Sequence, residues 1–162
     1  MTKEDRKLLF IQGDISGAMG AILYYWPIFF KFRLRENPGY DYATLFRPNV
    51  DYAVQAIAQA DAFIYYGHGN SGGIWLSHRS GSSMSQRLAA AEVGQIADER
   101  KQMGKGPLDF VQIAGCDTFR DQEWIDAWLD VAMEVRGFDE VTYNWRRPFR
   151  IPKEKRFRRP SS

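Results

Sequence analysis

The chain has a single cysteine, Cys116, and two histidines, His68 and His78. A disulfide framework is therefore excluded. So few thiol and imidazole groups cannot complete the usual four-ligand structural zinc site. No apolar run is long enough to span a bilayer. The longest, Ala18–Phe30, is interrupted by Pro27 and closed by Lys31, whereas a spanning helix needs about 20 residues. Lys3, Arg6 and Lys7 are followed only by the short apolar stretch Leu8–Ile11, which does not suit a secretory leader. A cytoplasmic protein with no membrane partner is the expectation. No internal repeat is visible.

Apolar residues make up 44% of the 162 and aromatics 15%. Disorder of the whole chain is excluded by that content, and the length fits one domain with one core. The formal net charge of +2 conceals an asymmetry. Trp145–Ser162 holds eight basic residues (Arg146, Arg147, Arg150, Lys153, Lys155, Arg156, Arg158 and Arg159) against Glu154, a net of +7. The other 144 residues hold 14 basic and 19 acidic groups, a net of −5. Pro148, Pro152 and Pro160 bar a continuous helix there. The expected organisation is an α/β domain over 1–144 and a basic, flexible tail over 145–162.

Apolar runs and turn signals place the elements. Leu8–Gln12, Tyr40–Phe46, Ala62–Tyr66 and Leu108–Ala114 read as four strands, with the loop Asn70–Gly73 leading into the apolar Ile74–Leu76, and Asp139–Asn144 reads as a last strand. Ile15–Leu34 opens as a helix behind Ser16 until Pro27 ends or kinks it, and Glu36–Gly39 is a turn. Val50–Ala60 has apolar residues at helical spacing behind Asn49 as N-cap. Met84–Met103 reads as a long helix with Leu88, Ala91, Val93, Ile96 and Met103 on its apolar side, ended by Gly104 and Pro107. Asp121–Val135 is helical, with Trp124, Ile125, Trp128, Leu129 and Ala132 as its buried stripe. Alternation of this kind predicts a three-layer α/β sandwich: a mostly parallel sheet flanked by helices on both faces. Ligands of such sheets gather at the carboxyl ends of the strands.

Two strand ends carry chemistry. One apolar strand runs into Gly67-His68-Gly69, and a later one into Gly115-Cys116. A thiol attacks an acyl carbon as its thiolate, and a nearby imidazole promotes that form. The same imidazole can then protonate the leaving amine. Adjacent parallel strands would bring the two side chains to one edge of the sheet. The N–H groups of Gly69 and Cys116 could hold the developing oxyanion, at about 3–4 kcal/mol per donor. Gly115 lets the backbone approach a substrate closely.

The segment Phe63–Leu76 (FIYYGHGNSGGIWL) resembles the histidine strand of the caspase-like cysteine peptidases of clan CD. It is most similar to the gingipain type, in which Gly-His-Gly is followed by a small polar loop and a Trp, here Trp75. The segment Asp109–Thr118 (DFVQIAGCDT) resembles the cysteine strand of the same superfamily and of its CHAT branch. The resemblance implies an endopeptidase in which His68 is general base and acid, Cys116 is the nucleophile, and Gly69 with Cys116 supplies the oxyanion donors. It implies a peptide or protein substrate, a thioester acyl-enzyme, and no metal or cofactor. Members that cleave after Arg or Lys often carry Asp two residues before the cysteine. Ala114 stands there in this chain, so no basic P1 preference follows. Asp14, Trp75 and Asp117 are candidate walls of the substrate pocket.

Plainer readings stand beside these. A lone cysteine is often a small buried hydrophobe, and His68 could serve only as a turn residue. His78 reads as a solvated loop residue. Asp117 and Thr118 suit capping of the helix at Asp121–Val135 or its entrance. Trp75 suits packing under its loop. Two other function classes remain: a catalytically silent adaptor with the caspase fold, and a protein contacting nucleic acid or another anionic partner through 145–162. Oligomeric state is left open by the sequence.

Overall fold

The short apolar run Lys7–Gln12 forms β1, buried from Leu8 onward. The structure, a computed structural model, describes residues 6–13, 39–77, 86–139 and 154–160. Asp41–Phe46 is β2, and Val50–Gln59 is the helix α1. The Asn49 side chain accepts a hydrogen bond from the Tyr52 N–H at 2.8 Å, the expected N-cap. Ala62–Tyr66 is β3. Gly69–Asn70 (β4), Gly73–Ser77 (β5) and Gln86–Ala89 (β6) make a small antiparallel sheet. Ala90–Gln102 is α2, Val111–Ala114 is β7, and Gln122–Val131 is α3. Glu134–Gly137 (β8) and Lys155–Arg158 (β9) complete the set.

The main sheet runs in the order β2-β1-β3-β7-β8-β9. Every pair is parallel except β8–β9, which is antiparallel. The fold is thus a mostly parallel sheet flanked by helices, as the sequence predicts. The helices α1, α2 and α3 share one core with Leu9, Ile11, Phe63, Tyr65, Val111, Ile113 and Val135 from the sheet. Residues of opposite parity (Leu8, Phe10, Ala62 and Ile64), together with Phe110, are buried on the other face, as the two-residue period of a strand requires. Trp124 and Trp128 are fully buried and meet edge to face, and Trp128 stacks on Phe63. They are core residues. Arg100, 4% exposed, is the unexpected one. Its Nη1 donates to the carbonyls of Ala58 and Ala60 at 2.9 and 2.6 Å, closing the C-terminal end of α1.

Three expectations need correction. The segment read as one helix over Met84–Met103 begins as strand β6, because Leu88 pairs with Ile74 across the small sheet and buries there. The helix starts at Ala90, where Glu92 accepts the Ala89 N–H at 2.8 Å, and Met103 lies exposed beyond its end. Asp121–Val135 is not helical throughout. The chain leaves α3 at Ala132 to form β8, which extends the sheet beside β7. The third correction concerns the basic tail, where Lys155–Arg158 is an edge strand rather than a free segment. Phe157 stacks on Phe119, and Lys155, Arg156 and Arg158 pair with Asp139, Glu154 and Glu134. The helix expected from Ile15, with Ser16 as its cap, falls outside the described residues. So do Asp14, His78, the residues 140–144 of the expected last strand, and the charges at Arg146, Arg147, Arg150 and Lys153.

Candidate active site

The candidate site is built on two neighbouring parallel strands. In the β3–β7 register Tyr66 stands opposite Ala114, so both strands end at the same level. The chain leaves the first into Gly67-His68-Gly69 and the second into Gly115-Cys116. The Gly67 N–H donates back to the Ala114 carbonyl at 3.4 Å, which ties the two exits together. The loops then touch. A methyl group placed on Gly69 would collide with the Thr118 methyl and stand 3.4 Å from the Cys116 carbonyl oxygen. One placed on Gly115 would stand 3.4 Å from the Gly69 Cα and 3.5 Å from its nitrogen. Glycine at position 69 is what allows this approach, and the tight neighbour of Gly115 is the Thr118 methyl, 3.1 Å from such a group. Thr118 is fully buried, and its Oγ1 donates to the Gly115 carbonyl at 3.3 Å, closing the turn around Cys116.

His68 and Cys116 are each half-buried, and Cys116 is in no disulfide. The backbone of His68 is held from two sides. Its carbonyl accepts the Trp75 N–H at 3.0 Å and the Tyr65 hydroxyl at 2.7 Å. The Tyr65 hydroxyl also lies 2.8 Å from the Trp75 carbonyl, and a side chain at Gly13 or Gly67 would press into it. In the β4–β5 ladder Gly69 is opposite Ile74 and Asn70 opposite Gly73. Hydrogen-bonded and non-bonded pairs alternate along such a ladder. Since Trp75 bonds His68, Gly69 falls on a non-bonded pair, and its N–H points away from β5.

The other expected site residues divide. Trp75 belongs to the candidate site through its backbone, while its ring packs under the Arg87 guanidinium, 5.6 Å from the ring centre. Asp117 adopts a left-handed backbone, with φ of 54°, and its carboxylate pairs with Arg120 at 3.3 Å. It does not cap α3. Asp121 does, accepting the Glu123 and Trp124 N–H groups at 3.0 and 3.4 Å.

Three residues of this region escape a reading of motifs. Tyr65 and Tyr66 are adjacent on β3 and therefore face opposite sides of the sheet. The first clamps His68; the second stands within electrostatic reach of Cys116. Burial, and then the neighbouring Cys116, push the Tyr66 phenol above its ordinary pKa, so it keeps its proton. The signal was in plain view: two aromatic hydroxyls directly before Gly-His-Gly. The third is Arg87, whose Nη2 donates to Asn70 Oδ1 at 3.2 Å and to the Ser71 carbonyl at 3.1 Å. It anchors the loop beyond His68. Among the described residues no cluster of His, Cys, Asp and Glu could hold a metal ion, and no helix is long and apolar enough to cross a membrane.

No family model matches the chain, and no curated protein matches it. Solved structures do. The fold is similar to that of a secreted C11 cysteine protease from Bacteroides thetaiotaomicron in complex with an irreversible peptide inhibitor, with a TM-score of 0.51 and 10% identity over 84% of this chain. It is also similar to the structure titled "iotapain", a secreted C11 cysteine protease from the same organism, with a TM-score of 0.52 and 9% identity over 84% of this chain. The chain spans about half of each, 49% and 53% of their lengths. At such identity the likeness is one of fold, and that fold is caspase-like. Both neighbours are secreted proteins, so the likeness lends no support to a cytoplasmic location.

Proposed function

We propose that the protein is a cysteine endopeptidase working through His68 and Cys116. The observation that carries this reading is the level register of β3 and β7, which sends Gly67-His68-Gly69 and Gly115-Cys116 out of one edge of the sheet side by side. The likeness in fold to cysteine proteases supports it. In the proposed reaction His68 takes the thiol proton, and the Cys116 sulfur bonds to the scissile carbonyl carbon. The carbonyl electron pair moves onto oxygen, where the N–H groups of Gly69 and Cys116 receive it. The intermediate collapses, the C–N bond breaks, and the imidazolium gives its proton to the leaving amine. A thioester remains. Water, deprotonated by His68, adds to the thioester carbonyl, and the thiolate leaves as the acid is released. The Tyr65 clamp holds the His68 backbone in register throughout. Tyr66, protonated at neutral pH, adds no negative charge beside the thiolate.

Alkylation of Cys116 by iodoacetamide at neutral pH, followed by mass spectrometry, tests the pair. The rate is expected to fall at least about tenfold in His68→Ala, because the imidazole no longer favours the thiolate. Equal rates in the two proteins would sink the dyad and leave the adaptor reading in its place.

A further inference from the structure

The turn that carries Cys116 is held chiefly from outside itself. Asp117, directly after the cysteine, has φ of 54°. That left-handed backbone is costly for a residue with a side chain and persists only where its surroundings fix it. The bonds within the turn are long. The Thr118 hydroxyl reaches the Gly115 carbonyl at 3.3 Å, and the Arg120 N–H reaches the Asp117 carbonyl at 3.4 Å, against a usual length of about 2.7–3.0 Å. The shorter bonds lead away from it. The Phe119 N–H donates to the Phe138 carbonyl at 3.0 Å, and the Arg120 Nε donates to the Asp139 carbonyl at 2.8 Å. Both acceptors lie just beyond β8. The Asp139 carboxylate in turn pairs with Lys155 of β9.

Side-chain packing takes the same route. Val135 and Gly137 share one face of β8 by the two-residue period. In the β8–β9 register Val135 is opposite Phe157 and Gly137 is opposite Lys155, so Phe157 stands on that face as well. Gly137 offers no side chain there, and the Phe119 ring fills the space: a methyl group on Gly137 would overlap its ring carbons. Phe119 is 4% exposed. Its ring lies flat on that of Phe157, with centres 5.9 Å apart and planes 11° from parallel. Thr118, in the middle of the same turn, is the residue whose methyl meets Gly69 of the histidine loop. A shift of the turn therefore changes how Cys116 is seated against that loop.

We infer that β9, through Phe157, positions the Cys116 turn relative to His68. The inference rests on the peptidase reading above. Phe157 touches no reacting group. It is a positioning residue that acts through Phe119, three residues beyond the nucleophile. A displacement of about 1 Å is enough to cost a reacting pair much of its advantage. Loosening of this support should thus appear as a weaker influence of His68 on Cys116, and not only as lost stability.

The readout is a ratio: the rate of Cys116 alkylation by iodoacetamide at neutral pH in a protein, divided by the rate in its own His68→Ala counterpart. In the wild-type background the ratio is expected to be at least about tenfold. In Phe157→Ala it should fall to about threefold or less, and the amide proton of Phe119 should exchange faster. Phe157→Tyr retains a ring that can stack and should retain the wild-type ratio. Phe157→Leu keeps an apolar side chain without the flat stack and should give an intermediate ratio. This variant decides the matter where Phe157→Ala does not fold. A ratio unchanged in Phe157→Ala, or in Phe157→Leu in its place, overturns the inference even when the melting temperature drops, because β9 would then support the fold alone. If the wild type and its His68→Ala counterpart react equally, the peptidase reading itself falls and takes this inference with it.

Discussion

The Tyr65 hydroxyl lies 2.7 Å from the backbone carbonyl of His68 and 2.8 Å from that of Trp75. One fully buried phenol thereby joins the end of the central strand β3 to the small antiparallel sheet beyond it. His68 is positioned by a neighbour three residues earlier on its own strand. The clamp works because Gly13 and Gly67 leave room for the hydroxyl.

Removing that hydroxyl has a defined cost. Tyr65→Phe keeps the ring in the core and removes the one O–H that lies within bonding distance of both carbonyls. The His68 carbonyl keeps the Trp75 N–H, so the loss is that of one hydrogen bond, about 0.5–1.5 kcal/mol. Urea unfolding should show a loss of that size, and the amide proton of Trp75 should exchange faster, because the His68 carbonyl it bonds is no longer pinned. An unchanged midpoint together with unchanged exchange would show the clamp to be idle.

The contact between the two loops gives a paired prediction. Gly69→Ala drives a methyl into Thr118 and sets it 3.3 Å from the Gly73 carbonyl oxygen. Overpacking of this kind costs about 1–3 kcal/mol. Thr118→Ser removes the offending methyl while keeping the hydroxyl that closes the Gly115 turn. The double variant should recover much of the loss, and thermal melts of the four proteins measure the coupling. Purely additive losses would mean that the two loops do not meet.

Acid stability should depend on Glu134. Burial alone would raise its pKa, but hydrogen bonds and charge from Arg136 and Arg158 outweigh that and hold it below the ordinary glutamate value. A carboxylate depressed in the fold contributes stability that is fully present above its unfolded pKa of about 4.3. That contribution is lost as the pH falls through the lower folded value. Unfolding free energy measured from pH 6 downward should fall less steeply in Glu134→Gln than in the wild type. Parallel acid limbs would rule out this contribution.

The legible parts of the sequence are those where local chemistry and tertiary demand agree. Ala62–Tyr66 is a strand with the bounds its apolar run implies, and Asn49 caps α1 because its side chain reaches an N–H only three residues away. Gly67-His68-Gly69 and Gly115-Cys116 stand out because a strand that ends in glycine must turn there. Errors fall where a helical period coincides with a partner distant in sequence. Leu88 has the spacing of a helix but pairs with Ile74. Glu134–Gly137 continues a helical pattern, yet β7 offers an open edge, and Phe119 packs so closely on Gly137 that no side chain fits there.

Composition and pattern alone determined the class of fold, the strand ends that carry histidine and cysteine, and the absence of disulfides, since each depends on nearest neighbours or on simple counts. Tertiary structure decided which strands lie side by side, that Tyr65 holds His68, and that Arg156 and Arg158 belong to a sheet edge. Those relationships join residues far apart along the chain, and they exist only once the sheet has set the register between them.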